Sequence, residues 1–318
     1  MKKTALYLFL FVLGQALPAQ NAKTLVIYTI KGPSGAGMIR LFETPPSVSG
    51  LKISIEALPQ ADIMASKILA GEVQIGVLPV NIAAKIAASG KRIQLAAVLG
   101  NGMLSLLTSD SSIRRIEDLK GKEVVCAGQG ATPEFVFRRI LKAKKLNTET
   151  DVTLNFSLAY PEIAASLIAG RIKTALLPEP FATMSRAGNK SLRNVADIQK
   201  EWQALSETNK TNYPMTALVV DADYAAANPA VTKAVMESIR ASSEWTIAHP
   251  REAAALVEKY NLGLRADVIE KAIPVSAYVF IPAVQARPAV EGLLKVFLEV
   301  SPQSIGGKLP AESFYYRQ

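Results

Sequence analysis

Two side chains with reactive chemistry stand alone in this chain. Cys126 is the only cysteine and His249 the only histidine of 318 residues. A nucleophile needs a base within hydrogen-bond reach, and a metal ion needs several ligands. His249 opens "HPREAA" (His249–Ala254) with no such companions nearby, so a surface turn is its expected place. Cys126 lies in the apolar stretch "KEVVCA" (Lys122–Ala127) and is expected to be inert packing. Acidic residues fall singly at helix starts rather than in pairs. The pattern argues against an enzyme, and no cofactor or metal is expected. One cysteine also excludes an intrachain disulfide.

Two glycine-rich loops are the other candidates. "KGPSGAG" (Lys31–Gly37) follows a strand-like run, and "GQGATPE" (Gly128–Glu134) follows another. A phosphate-cradling loop needs a Lys after its last glycine, which neither has. The dinucleotide pattern needs a third glycine where this chain has Pro133. Nucleotide binding is therefore not expected. Thr132 reads as a helix N-cap, with Pro133 at the first helical position and Glu134 in the first turn. Free N–H groups at such a helix start bind anions. The donors expected to face a ligand are the amides of Gly130, Ala131 and Thr132, together with the Thr132 hydroxyl.

These loops must be positioned by the surrounding elements. Strand-like runs at Lys23–Ile30, Leu51–Leu58, Val73–Leu78 and Arg92–Gly100 alternate with helix-like segments, which predicts a parallel α/β unit. The pattern restarts at Lys122. "ILAGEVQIGVLPVN" (Ile68–Asn81) lies over "LIAGRIKTALLPEP" (Leu167–Pro180) at a constant offset of 99 residues, matching Ala70, Gly71, Leu78 and Pro79 with Ala169, Gly170, Leu177 and Pro178. Recurrence of elements in the same order predicts two similar lobes. "MLSLLTS" (Met103–Ser109) and "MTALVVD" (Met215–Asp221) read as the two crossing segments. Lobe one is expected over 20–109 and 214–318, and lobe two over 110–213. Facing lobes would place both glycine loops and both Leu-Pro turns, at Pro79 and Pro178, on one cleft beyond the carboxyl ends of the strands.

The N-terminus reads differently. Met1-Lys2-Lys3, the apolar run Ala5–Leu13 and "ALPAQ" (Ala16–Gln20) have the layout of a secretory signal peptide ending at Ala19. No cysteine stands at the cleavage position, so no lipid anchor is expected there, and the periplasm is the expected compartment. The net charge of +9 falls by two to +7 once Lys2 and Lys3 are removed. The positive field favours an anionic ligand or surface. Its densest group, Arg138, Arg139, Lys142, Lys144 and Lys145, falls toward a helix C-terminus, where it complements the dipole. With aromatics at only 7%, no nucleic-acid partner is expected.

The chain resembles the periplasmic substrate-binding proteins of ABC importers, of the nitrate/sulfonate/taurine type, to which binding proteins for thiamine pyrimidine precursors are related. The resemblance rests on "GPSGAGM", "LAGEVQIGVLPVNIAAKI", "IEDLKGKEVVCAGQGATPEF", "LLPEPFATM" and "SIGGKLPAESFYY", and runs over essentially the whole mature chain. It implies an α/β two-lobed fold of the periplasmic binding protein-like type II, with a two-stranded hinge. It implies a monomer that captures a small-molecule solute between its lobes. Its partners would be an ABC permease in the inner membrane and the associated ATPase. Carried over, it points to Gly32, Ser34, Gly35, Asn81, Gln129, Thr132 and Glu179 as cleft residues. Glu179 would contact a cationic group or cap its own helix. Relatives often carry an aromatic residue before the Glu-Pro-Phe segment, where this chain has Pro178, so an aromatic wall is expected to be missing. The alternatives are a thiamine-pyrimidine synthase-like enzyme or a ligand-sensing module of the same fold. The enzyme would need a His and a cysteine-rich metal segment, and the sensor a signalling domain.

Overall fold

A computed structural model describes residues 23–205 and 212–317. The expected leader over 1–19 lies outside the described residues. Eleven strands form among those described: β1 (Lys23–Ile30), β2 (Leu51–Leu58), β3 (Ile75–Pro79), β4 (Ile93–Asn101), β5 (Leu104–Thr108), β6 (Lys122–Val125), β7 (Val152–Asn155), β8 (Thr174–Pro178), β9 (Arg193–Asp197), β10 (Pro214–Asp221) and β11 (Tyr278–Pro282). They build two sheets, in the orders β11-β4-β10-β3-β1-β2 and β7-β6-β8-β5-β9.

The internal repeat is now legible in three dimensions. The run β2-β1-β3-β10-β4 of the first sheet corresponds strand for strand to β7-β6-β8-β5-β9 of the second. In each sheet the first three strands are parallel, and one antiparallel strand follows. The matched Leu-Pro turns hold equivalent places: Pro79 pairs with Thr216 of β10, and Pro178 pairs with Leu104 of β5. β3 and β8 are the central strands and read as continuous apolar runs, because helices cover both faces.

The sheets are mixed rather than parallel throughout, because each takes in a strand from the far side of a crossing. β10 inserts between β3 and β4, and β5 inserts between β8 and β9. The chain thus passes from the first sheet to the second at Gly102–Met103, earlier than the Asp110 expected from sequence. It returns through Asn212–Tyr213 into β10. The two passages touch: Gly102 N donates to Tyr213 O at 2.8 Å. Tyr213 is fully buried beside them, and its hydroxyl donates to Gln199 Oε1 at 2.7 Å.

After β10 the chain is mainly helical, with one further strand, β11, at the edge of the first sheet. The long helix Ala283–Val300 also packs on the second lobe. Its Phe297 meets Phe135 of helix Thr132–Ala143 edge-on, with ring centroids 4.8 Å apart. One apolar core cluster therefore contains residues from both lobes. Among the described residues no helix is long and apolar enough to cross a membrane.

Candidate functional site

A cavity of about 690 Å³ opens between the sheets, beside the last residues of β1, β3 and β8: Ile30, Pro79 and Pro178. This is the place where open α/β sheets hold ligands. Ser34, Asn81 and Thr132 line it, so the structure brings three of the seven expected residues together. Gly32, Gly35, Gln129 and Glu179 are not among its lining residues. Asn81 and Thr132 are nearly buried, at 7% and 4% exposure, and none of the three lining side chains hydrogen-bonds to another described residue. Each is held on a helix start: Ser34 in the short turn Pro33–Ala36, Asn81 in helix Val80–Ala88, Thr132 in helix Thr132–Ala143. Asn81 and Thr132, nearly buried, and Ser34, half-buried, thus present uncommitted polar groups on one largely apolar cavity wall, the arrangement of a small-molecule site.

The four residues outside the wall have local roles. Gly32 N donates to Leu262 O at 2.9 Å, and its φ of 93° with ψ of −147° suits glycine alone. A side chain at Gly35 would start 2.9 Å from Ile30 O and 3.0 Å from a Leu262 methyl, so this glycine lets two segments close up. Gln129 is exposed. Glu179 is 3% exposed, and its Oε2 accepts from Thr183 N at 3.0 Å. Of the two roles open to it in sequence, the structure shows it capping its own helix. Burial pushes its carboxyl above the ordinary value, against the pull of the Thr183 hydrogen bonds and of Arg186, 3.9 Å away.

The glycine loop of the second lobe differs from the expectation in one decisive respect. The N-cap is Ala131 rather than Thr132, which becomes the first helical residue. Two of the three amides expected to face a ligand are taken within the loop. Gly130 N donates to Glu134 Oε2 at 2.7 Å, and Ala131 N donates to Gly128 O at 3.0 Å. Glu134 is itself held by Arg138 Nε at 2.6 Å. The helix N-terminus therefore carries its own anion, and the amide and hydroxyl of Thr132, a cavity-lining residue, are the expected donors that stay uncommitted.

Several lining residues had no signal in the sequence. Tyr160 and Phe181 stack with centroids 5.8 Å apart and planes 20° from parallel, and both line the cavity. They supply the aromatic wall whose absence was expected from Pro178. Each opens a different helix, so no periodicity links them, although Phe181 lies in the quoted "LLPEPFATM". Lys85 is the one cationic side chain lining the cavity; it is exposed and forms no ion pair among the described residues. The rest of the lining is largely apolar, including Ile82, Met103 and Met215.

The two lone reactive side chains lie elsewhere. Cys126 is 2% exposed, and burial pushes its thiol up to about 12, so it is no thiolate nucleophile. His249 is exposed at the surface, with its ring stacked on Trp245 and Nδ1 3.0 Å from Trp245 O. Among the described residues no group of three or more His, Cys, Asp or Glu could hold a metal ion.

Comparison with solved structures gives the fold independently. An ABC transporter protein from Parabacteroides distasonis is 24% identical, with a TM-score of 0.80 over 93% of this chain and 99% of that one. The periplasmic aliphatic sulphonate binding protein SsuA of Escherichia coli is 19% identical, with a TM-score of 0.73 over 93% and 92%. The desulfurization enzyme DszB is 13% identical, with a TM-score of 0.60 over 90% and 94%, so the fold also carries catalysis. At these identities the likeness is one of fold: two α/β lobes of the periplasmic binding protein type. No curated protein matches the chain. A family model described as "NMT1/THI5 like" matches residues 48–253, from β2 through the second sheet to the helices that follow β10. The chain belongs to the NMT1/THI5-like family.

Proposed function

We propose that this chain is the solute-binding component of an ABC import system. It captures a small molecule between its lobes, works in the periplasm, and delivers its cargo to a permease in the inner membrane. The observation that carries this reading is the cavity itself. It lies between two topologically matched sheets and is apolar over most of its wall. Ser34 and Asn81 from one lobe and Thr132 from the other converge on it without partners. Such a wall, largely apolar with a few converging polar groups, is what a small-molecule binding site presents.

The mechanism is mechanical. Among the described residues two strand connections join the sheets, at Gly102–Met103 and Asn212–Tyr213, and we place the hinge there. A solute bound to one wall draws the other over it, water leaves, and the few polar contacts strengthen as the local dielectric falls. A permease then recognises the closed shape. Small-angle scattering of residues 20–318, with and without the small molecule recovered from the purified chain, tests this. The expected result is a smaller radius of gyration with the solute. An unchanged radius at saturation contradicts closure.

A further inference from the structure

The cleft has an inner annex. A second cavity, of about 10 Å³, shares Pro33, Ser34, Met103 and Thr216 with the main one, and Ser243 and Tyr278 also line it. That is room for about one heavy atom. Tyr278 is 7% exposed, and its Oη has no hydrogen-bond partner among the described residues. The Ser276 hydroxyl, two residues away, donates to Ala272 O at 2.7 Å. The placement of this ring also accounts for the end of the first glycine loop. A Cβ at Gly37 would lie 3.1 Å from Tyr278 Cδ1, so glycine is what lets the ring lie against that turn.

The annex is uncharged. None of Lys, Arg, His, Asp or Glu lines it, so nothing there would compensate a buried anion. In the main cavity Lys85 is exposed, and the Gly130 amide that would have met an anion is held by Glu134. We propose that the annex is a specificity subsite for the uncharged polar tip (a hydroxyl oxygen, or the carbonyl oxygen of a ketone or amide) of a solute whose apolar body fills the main cavity. Tyr278 Oη gives the anchoring hydrogen bond, and Met103, an unbranched and adaptable side chain shared by both cavities, moves aside to admit the tip. The proposal rests on the solute-binding reading above and adds the class of solute.

The test uses three probes with the same ring and different tips: benzamide, benzenesulfonate and toluene. Each is titrated calorimetrically into residues 20–318, as wild type and as Tyr278→Phe. Benzamide should bind more tightly than benzenesulfonate. Tyr278→Phe should weaken benzamide about tenfold and leave toluene within about twofold, the effect of one lost hydrogen bond in a closed site. The Tm of the ligand-free variant should not fall, because no hydrogen bond within the chain is removed. A crystal structure of the benzamide complex should place the amide within hydrogen-bond distance of Tyr278 Oη. Tighter binding of benzenesulfonate, or an unchanged benzamide affinity in Tyr278→Phe, overturns the subsite. So does failure of all three probes at millimolar concentration. The solute-binding reading would then still be decided separately, by whether the purified chain retains a small molecule.

Discussion

Glu134→Ala isolates the anion that the second lobe builds into its own helix start. The carboxylate is 8% exposed and makes two short hydrogen bonds, 2.7 Å from Gly130 N and 2.6 Å from Arg138 Nε. Hydrogen bonds to charged groups contribute about 1.5–3 kcal/mol each. The Arg138 bond belongs at the low end, because that side chain is 29% exposed and keeps Thr148 Oγ1 at 2.6 Å. A negative charge in the first helical turn adds about 0.3–1 kcal/mol. The expected loss is about 3–5 kcal/mol in urea denaturation of the ligand-free chain at neutral pH. The vacated helix start should also become an anion site. Sulfate should raise the stability of Glu134→Ala by more than it raises that of the wild type, where general salting effects act alone. A loss below about 1 kcal/mol, the size of an ordinary substitution, would refute the account of this loop. So would an equal response of both proteins to sulfate.

Other substitutions probe the frame around the site. At Gly102 a Cβ would sit 2.0 Å from Tyr213 Cζ, inside the ring, so Gly102→Ala should cost about 3 kcal/mol in the same assay; a neutral substitution would contradict the packing of the two passages. Phe297→Ala removes the fully buried edge-on partner of Phe135 and should cost about 3–5 kcal/mol, measured by urea denaturation. Glu179→Gln should stabilise the chain at pH 7. Burial raises the folded-state pKa above its ordinary 4.5, so the folded wild type binds more protons than the unfolded chain as pH rises from 4.5, and loses stability there. Glutamine keeps an acceptor for Thr183 N and does not ionise. The gain should therefore shrink toward pH 4.5, and a gain independent of pH would count against the assignment.

The sequence made the architecture legible because both lobes repeat the same grammar. The 99-residue offset between Pro79 and Pro178 corresponds to equivalent strand ends in the two sheets. What it hid were the strands that periodicity does not set apart. β9 and β11 are five residues each, flanked closely by helices, and gain their identity by pairing with β5 and β4, far away in the chain. β5 was visible as a strand but not as a member of the second sheet, since pairing is a property of the fold. The site was half legible for a similar reason. Ser34, Asn81 and Thr132 follow from position at strand ends and helix starts. Nothing local distinguishes a glycine that binds a ligand from one that makes room for a side chain, as Gly35 and Gly37 do for Leu262 and Tyr278. Likewise, Glu134 reads as an ordinary first-turn acid until its carboxylate is seen on Gly130 N.

The central claim is that a solute occupies the cavity between the lobes. Native mass spectrometry of residues 20–318, purified without refolding, tests it most directly when run beside Ala131→Trp. Ala131 lines the cavity with an extended backbone, so tryptophan there would fill the space. The account predicts a small molecule that leaves the wild type on denaturation and is missing from Ala131→Trp. The same molecule retained equally by both would contradict it, because the solute would then lie somewhere else.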